Sequence, residues 1–227
     1  MATITNEDGW VTISTDAGSG NTAVTATVNS GNSGRLTRSV TLKGTTAHDA
    51  EATCVITQTT KGEFVQFTSH TYSIGNSASS VTVTGRSNSQ KLTFALVTSG
   101  VGITDYLILP TGGSYTVTAG GTTISCTNGT NITGDPGASA EYTFSITLTT
   151  HGTNPSVSRL QRLNVTSFSG ETDYTDISQA GIATTILFDG YATGKVYDLT
   201  NTAVGGTQTI NIGVTPSGEG WTLEFDE

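Results

Sequence analysis

The stretch "YTFSITLTT", Tyr142 to Thr150, decides the fold class of this chain. Apolar side chains stand at Tyr142, Phe144, Ile146 and Leu148, and Thr143, Ser145, Thr147 and Thr149 alternate with them. Successive side chains of an extended strand point to opposite faces, so this spelling describes a strand with one dry face and one hydroxyl-lined face. The same period of two runs through "TAVTATV", with Val24, Ala26 and Val28 on one side. It recurs in "SVTLK", which sets Val40 and Leu42 inward, and in "ATCVIT", which sets Cys54 and Ile56 inward. Clusters such as "NSGNSG" and "GDPG" supply tight turns between the runs at intervals of roughly eight to twelve residues, the mark of a β-sandwich or barrel.

Composition agrees. Threonine, a β-branched residue suited to the solvent face of a strand, makes up about a fifth of the 227 residues, well above ordinary usage. There are 28 Gly and only 4 Pro, and no long stretch carries helical periodicity. The reading is all-β. With 12% charged and 34% hydrophobic residues, the chain is neither a charge-rich disordered tail nor a membrane span. A net charge of −9, with nine Lys and Arg in total, leaves no basic patch for nucleic acid or an anionic membrane surface. Cys54 and Cys126 lie in separate apolar runs and read as two buried free thiols. The opening "MATITNEDGW" has neither a basic nor an apolar leader region, so no signal peptide is expected.

Internal repetition is the most informative feature. Residues 19–62 align with 137–181: a Gly-rich turn, an alternating strand, an Asn/Ser loop, Arg-Leu-x-Arg, a second strand and a terminal Ile-x-Gln. In this alignment Arg35 answers Arg159, Arg38 answers Arg162, and Gln58 answers Gln179. A second match joins 79–96 to 205–225, where Val81 and Val83 answer Ile210 and Ile212, and Leu92 and Phe94 answer Trp221 and Leu223. The middle of the chain therefore holds a first half followed by a second half, the N-terminal part a second half, and the C-terminal part a first half. The expected units are 1–62, a second-half-like module; 63–181, a complete module; and 182–227, a partial, first-half-like module.

The order of these pieces, with Trp-led strands, Asn loops, an arginine and Gln-terminated final strands, resembles the BACON domain, a Bacteroidetes-associated immunoglobulin-like β-sandwich. Residues 97–124 depart from the family pattern by expanding the middle module. The resemblance implies tandem immunoglobulin-like modules. Such domains occur in secreted glycoside hydrolases and in structural proteins of crAss-like phages. With no leader and no hydrolase domain in view, it implies a virion structural protein on the capsid exterior, an auxiliary or decoration capsid protein or one associated with a head fibre, made in the host cytoplasm. Its expected partners are the major capsid protein or further copies of itself. The alternative is a module that binds mucin or polysaccharide.

Chemistry-bearing motifs are sparse. His48, His70 and His151 stand apart in loop-like contexts, and no nucleophile elbow, phosphate loop or metalloprotease motif is present. Asp173 and Asp176 read as surface residues rather than a general acid and base. "TDAGSGN" (15–21) and "TGDPGAS" (133–139) offer oxygen ligands but lack the dense spacing of calcium loops. No enzyme activity, cofactor or metal is expected. A glycan platform would have to come from Tyr106, Tyr115, Tyr191 and Tyr197, the tyrosines in less regular segments. Trp10 and Trp221 read as core residues.

A seven-stranded sandwich enters and leaves at opposite poles, and the joining segments near 60–63 and 181–183 reach only about 10 Å. Two arrangements therefore stand open for the end segments. Either each folds as a reduced sandwich, or the C-terminal half of one chain completes the N-terminal half of another. In the second case Trp10, Ile13, Ile210, Ile212, Trp221, Leu223 and Phe225 carry the contact.

Overall fold

A computed structural model describes residues 9–182, 185–190, 192, 209–215 and 221–223. The chain is all-β and built on immunoglobulin-like sandwich architecture.

Its centre is a two-sheet sandwich made from ten strands: β5 (Val65–Phe67), β6 (Thr71–Ile74), β7 (Ser80–Ser87), β8 (Leu92–Val97), β9 (Leu107–Ile108), β10 (Ser114–Ala119), β11 (Thr122–Thr127), β12 (Tyr142–Thr150), β13 (Arg159–Ser167) and β14 (Thr172–Gln179). One sheet runs β11-β10-β12-β7-β5, with β9 also on β12; the other runs β6-β14-β13-β8. Pairing is antiparallel throughout except between β6 and β14, which are parallel. The alternation that predicts β12 matches its burial: Tyr142, Phe144, Ile146 and Leu148 are all buried. They meet Leu92, Phe94, Leu163, Val165 and Ile177 from the facing sheet in one core. Phe144 sits edge-on to Phe67 at 5.8 Å and to Phe94 at 5.6 Å, the tilted geometry that aromatic quadrupoles favour.

The expansion at 97–124 is β9, a 3-10 turn and most of the β10–β11 hairpin, which widens the first sheet on the β9 side of β12. Gly120 and Gly121 close that hairpin with φ of 54° and 80° between the paired Ala119 and Thr122. Two consecutive positive φ values are what a two-residue hairpin turn requires, and glycine adopts them without strain.

Before this sandwich stand four strands in two separate ribbons. β1 (Val11–Ile13) pairs with β2 (Ala26–Val28), and β3 (Arg38–Thr45) pairs with β4 (Glu51–Gln58). Their buried core is Trp10, Val11 and Val40, with Ile56 packed against it. After it, β15 (Thr185–Phe188) pairs with β16 (Ile212–Thr215). The sequence expectations depart from the structure on the N-terminal ribbons. Val24, Ala26 and Val28 are exposed, Leu42 is only half-buried, and Cys54 is exposed; both thiols are free, and only Cys126 is buried. Period-two spelling gives a strand two faces, but whether the apolar face becomes dry depends on a second sheet to cover it.

Gly85 tests how tightly the central sandwich is filled. A Cβ there would collide with the Phe144 ring and the Gln66 carbonyl oxygen. Gly85→Ala is therefore expected to destabilise the central sandwich by roughly 1–3 kcal/mol through overpacking. Urea unfolding should show a lower midpoint at unchanged slope, and an unchanged midpoint would contradict this packing.

Candidate assembly interface

The repeat visible in the sequence is a repeat of side-chain geometry, with a register that differs from the sequence alignment. Arg38 pairs in register with Gln58 and donates from Nε to its Oε1 at 2.7 Å. Arg159 pairs in register with Gln179 and donates from Nε to its Oε1 at 2.9 Å. Each guanidinium also donates to a loop carbonyl, Arg38 to Ser30 at 2.6 Å and Arg159 to Gly152 at 3.1 Å. Each lies over a buried ring, Arg38 4.7 Å from the Trp10 centroid and Arg159 4.6 Å from that of Tyr106. An asparagine ties the loop to the last strand both times: Asn32 donates to the Thr59 carbonyl at 3.1 Å, and Asn154 to the Ala180 carbonyl at 3.2 Å. Arg159 therefore answers Arg38, three residues from the Arg35 that sequence alignment chose. Arg162 instead pairs with Asp176, whose carboxyl is held below its ordinary value by the guanidinium's hydrogen bond against the opposing effect of burial.

With this register the N-terminal ribbons superpose in role on half of the sandwich. Trp10 stands for Tyr106, β1 for β9, β2 for β12, β3 for β13 and β4 for β14. The Asn29 amide donates to the Trp10 carbonyl as the His151 amide does to Tyr106, and Val11 pairs with Val28 as Leu107 does with Thr150. Likewise β15 and β16 stand for β5 and β7, since Phe188 pairs with Ile212 as Phe67 pairs with Gly85. Ile212 thus answers Gly85, and Ile210 answers Val83, two positions from the sequence alignment but on the same face.

Burial then separates equivalent positions. Ile146 is fully buried, but its counterpart Val24 is 44% exposed. Thr175 is fully buried, and its counterpart Cys54 is exposed. Leu163 and Ile177 are sealed, while Leu42 and Ile56 are only half-buried. At the other end of the chain Ile210, Trp221 and Leu223 are exposed, so Trp221 is not a core residue among the described residues. Ile13 is half-buried on β1, and Trp10 is buried as expected. Phe225 lies outside the described residues.

The joint between the N-terminal ribbons and the sandwich is polar and closely fitted. Arg35 donates from Nε to the Asn88 carbonyl at 2.6 Å, forms an ion pair with Asp135 and lies 3.8 Å from Glu63. The buried Asn88 amide donates to the Ser33 carbonyl at 3.2 Å and the Gly62 carbonyl at 2.6 Å, while its oxygen accepts from the Phe64 amide at 3.0 Å. Arg35 and Leu36 amides donate to the Gly137 and Ala138 carbonyls. This closeness needs glycine: a Cβ at Gly34 would strike the backbone of Ala138 and Ser139, and one at Gly137 the backbone of Asn88. Burial disfavours the Glu63 carboxylate, but hydrogen bonds from Ser169, Ser89 and the Gln90 amide outweigh it and hold its pKa below the usual value.

The other candidates resolve individually. Tyr106 and Tyr115 are buried in the core, so neither presents an open face as a sugar platform; Tyr191 and Tyr197 lie outside the described residues. Tyr106 donates its hydroxyl to the Ile177 carbonyl at 2.7 Å, and burial, partly offset by Arg159, pushes its pKa up to about 12. His70 is not isolated: its Nε2 lies 3.0 Å from Asp173, whose other oxygen accepts from the Phe67 amide. Asp135 of the 133–139 loop is committed to Arg35. Among the described residues no three His, Cys, Asp or Glu side chains gather as metal ligands.

No family model matches the chain, and no curated protein matches it. It is similar to several solved structures. Protocadherin gamma B2 extracellular cadherin domains 1–5 align at 9% identity over 94% of this chain and 39% of that one, with a TM-score of 0.37. Human CDH23 EC21–23 aligns at 9% identity over 78% and 57%, with a TM-score of 0.34. Zebrafish RET cadherin-like domains 1 to 4 align at 8% identity over 64% and 33%, with a TM-score of 0.35. The chain thus spans 33% to 57% of the length of these structures.

Two outcomes are expected at the joint. Asn88→Ala removes three hydrogen bonds around the connector, so trypsin should cut after Lys61 about tenfold faster than in the parent chain; an unchanged rate would mean that Asn88 does not hold the joint. The depressed Glu63 pKa contributes stability that is complete above the ordinary carboxylate value and lost as pH falls through the lower folded-state value. Glu63→Gln should therefore lower the melting temperature by about 2–5 °C near neutral pH and by progressively less in acid, with the two melting curves converging once the pH has fallen below the lowered folded-state value.

Proposed function

We propose that this chain is a non-enzymatic structural protein that works by assembly, a component of the virion exterior of a crAss-like phage. It serves there as an auxiliary or decoration capsid protein or with a head fibre, and its immunoglobulin-like modules bind the major capsid protein or further copies of the chain. The observation that carries the assembly reading is the open inner face of the N-terminal ribbons. Positions that are sealed in the central sandwich are exposed there: Val24, Ala26 and Cys54, the counterparts of Ile146, Leu148 and Thr175. An uncovered apolar face beside strand edges without a partner among the described residues is a surface suited to other strands.

Two further features support a structural role. The joint at Arg35, Asn88 and Glu63 fixes one module against the next through side-chain to backbone bonds, as a spacer or scaffold needs and a flexible tether does not. Among the described acidic residues Asp135, Asp176 and Glu141 pair with arginine or lysine and Asp173 lies against His70, an arrangement suited to holding structure. The virion setting rests on the resemblance to the BACON family. Burial of Tyr106 and Tyr115 takes away two of the four tyrosines on which the sugar-binding alternative relied.

The test is protein composition of purified particles. Peptides of this chain are expected to band with the major capsid protein through a density gradient, in fixed ratio across fractions. Particles that carry the gene but band without the chain would overturn the virion assignment.

A further inference from the structure

In the central sandwich the first and second halves meet along strand seams. β12 pairs with β7 in one sheet, β13 with β8 and β14 with β6 in the other. The N-terminal ribbons contain the counterparts of β12, β13 and β14, yet among the described residues β2 pairs only with β1, and β3 and β4 only with each other. The strands that would lie across the seam have their counterparts in the C-terminal part of the chain: β16 for β7, and the 221–223 segment for the start of β8.

Side-chain volumes match across this virtual seam. In the sandwich Phe144 stands opposite Gly85, and Ile146 opposite Val83. Carried over by the register above, Phe144 becomes Thr22 and Gly85 becomes Ile212, while Ile146 becomes Val24 and Val83 becomes Ile210. A large residue lost on one strand is regained on the other, as volume-conserving core swaps require. Each of these facing residues would cover apolar surface that now meets water, Val24 at 44% and Ile210 at 41% exposure.

Geometry separates pairing within one chain from pairing between chains. The N-terminal ribbons dock beside Asn88, Gly137 and Glu141, at the pole where β12 begins. The chain leaves the sandwich at the opposite pole, where the Ile182 amide donates to the Ser156 carbonyl beside Asn154. The nine residues of β12 between these poles span roughly 25–30 Å. β15 begins three residues after Ile182, a reach of about 10 Å. The start of β15 is therefore tethered at the pole away from the ribbons of its own chain.

We propose that β16 and the 221–223 segment of one chain complete the open ribbons of a second copy. The segment from Ile210 into β16 pairs antiparallel with the segment from Thr22 into β2 of that copy, with Ile210 opposite Val24 and Ile212 opposite Thr22. The 221–223 segment joins β3, with Leu223 opposite Gly44 as Phe94 lies opposite Val165. This inference rests on the assembly reading and specifies its contact. The two surfaces differ, so the contact is head-to-tail and propagates into rings or filaments of complete sandwiches. It also buries Cys54, whose counterpart Thr175 is sealed.

The experiment uses full-length chains in two formats. In a Cys54→Ser background, Val24→Cys and Ile210→Cys chains are prepared separately, mixed and oxidised; directly opposed strand positions lie within reach of a disulfide. A disulfide-linked dimer that needs both chains supports the proposal. A chain carrying both substitutions that instead closes on itself as a monomer overturns it, as does absence of any cross-link. The unsubstituted protein gives the second readout: alkylation of Cys54 should slow by at least about tenfold as concentration rises, because thiol reactivity follows exposure and the contact follows mass action. A rate equally slow at every dilution means that the chain covers itself, and a rate equally fast means that nothing covers it; either overturns the proposal. Banding with particles is measured independently, so a virion protein that fails these tests loses only the contact between copies.

Discussion

A sandwich of this kind depends on its seams. Each sheet of the central unit is assembled from strands of both halves of its sequence, so neither sheet exists until β12 has met β7 and β13 has met β8. The closure is cooperative: backbone pairing at the seam brings Phe144 over Gly85 and against Phe67 and Phe94, and that aromatic cluster in turn holds the two sheets face to face. One apolar core draws its residues from both halves, so its full burial needs both. The same requirement explains the N-terminal ribbons. They have the strands of one half, the arginine–glutamine clasp and a small core around Trp10, and their inner face stays wet because no strand among the described residues closes the seam.

The clasp shows which interactions are local to a half and which are not. Arg38 with Gln58, Ser30 and Trp10 repeats Arg159 with Gln179, Gly152 and Tyr106. All of these partners lie within one half, so the geometry survives without the other. In both copies the guanidinium is satisfied by a side-chain amide and a backbone carbonyl while its plane covers an aromatic ring, which fixes the loop between the first and last pairs of strands. By contrast, the side chains that would touch across the seam, such as Val24 and Ile210, differ from their counterparts in size and are exposed.

The joint around Asn88 adds a constraint on how modules follow one another. Asn88 is fully buried at the end of β7 and bonds simultaneously to the loop at Ser33, the connector at Gly62 and the entry to β5 at Phe64. Because Gly34 and Gly137 lie at backbone contact distance, the ribbons cannot rotate there without breaking several bonds together. One module is thereby oriented against the next, and the open face of the ribbons is presented in a set direction.

By itself the sequence determined the all-β class, the alternating strand at Tyr142–Thr150 and the existence of repeated halves. These rest on alternation and on turn residues, which are local properties of a strand. The alternation at Tyr142–Thr150 translated directly into burial, and the aligned blocks placed β3 and β4 beside β13 and β14 in role. What only the tertiary structure decided was register and cover. Sequence identity drew Arg35 to Arg159, but the hydrogen bond to glutamine and the ring beneath it belong to Arg38, because pairing across a ladder is set by backbone geometry and not by the commonest string of letters. Tyr106 sits in an irregular segment and reads as surface, yet it is the buried counterpart of Trp10. Cys54 and Val24 have the spelling of core residues and lie open to water. A strand's letters say which of its faces is apolar, and only the presence of a facing sheet determines whether that face is a core or an interface.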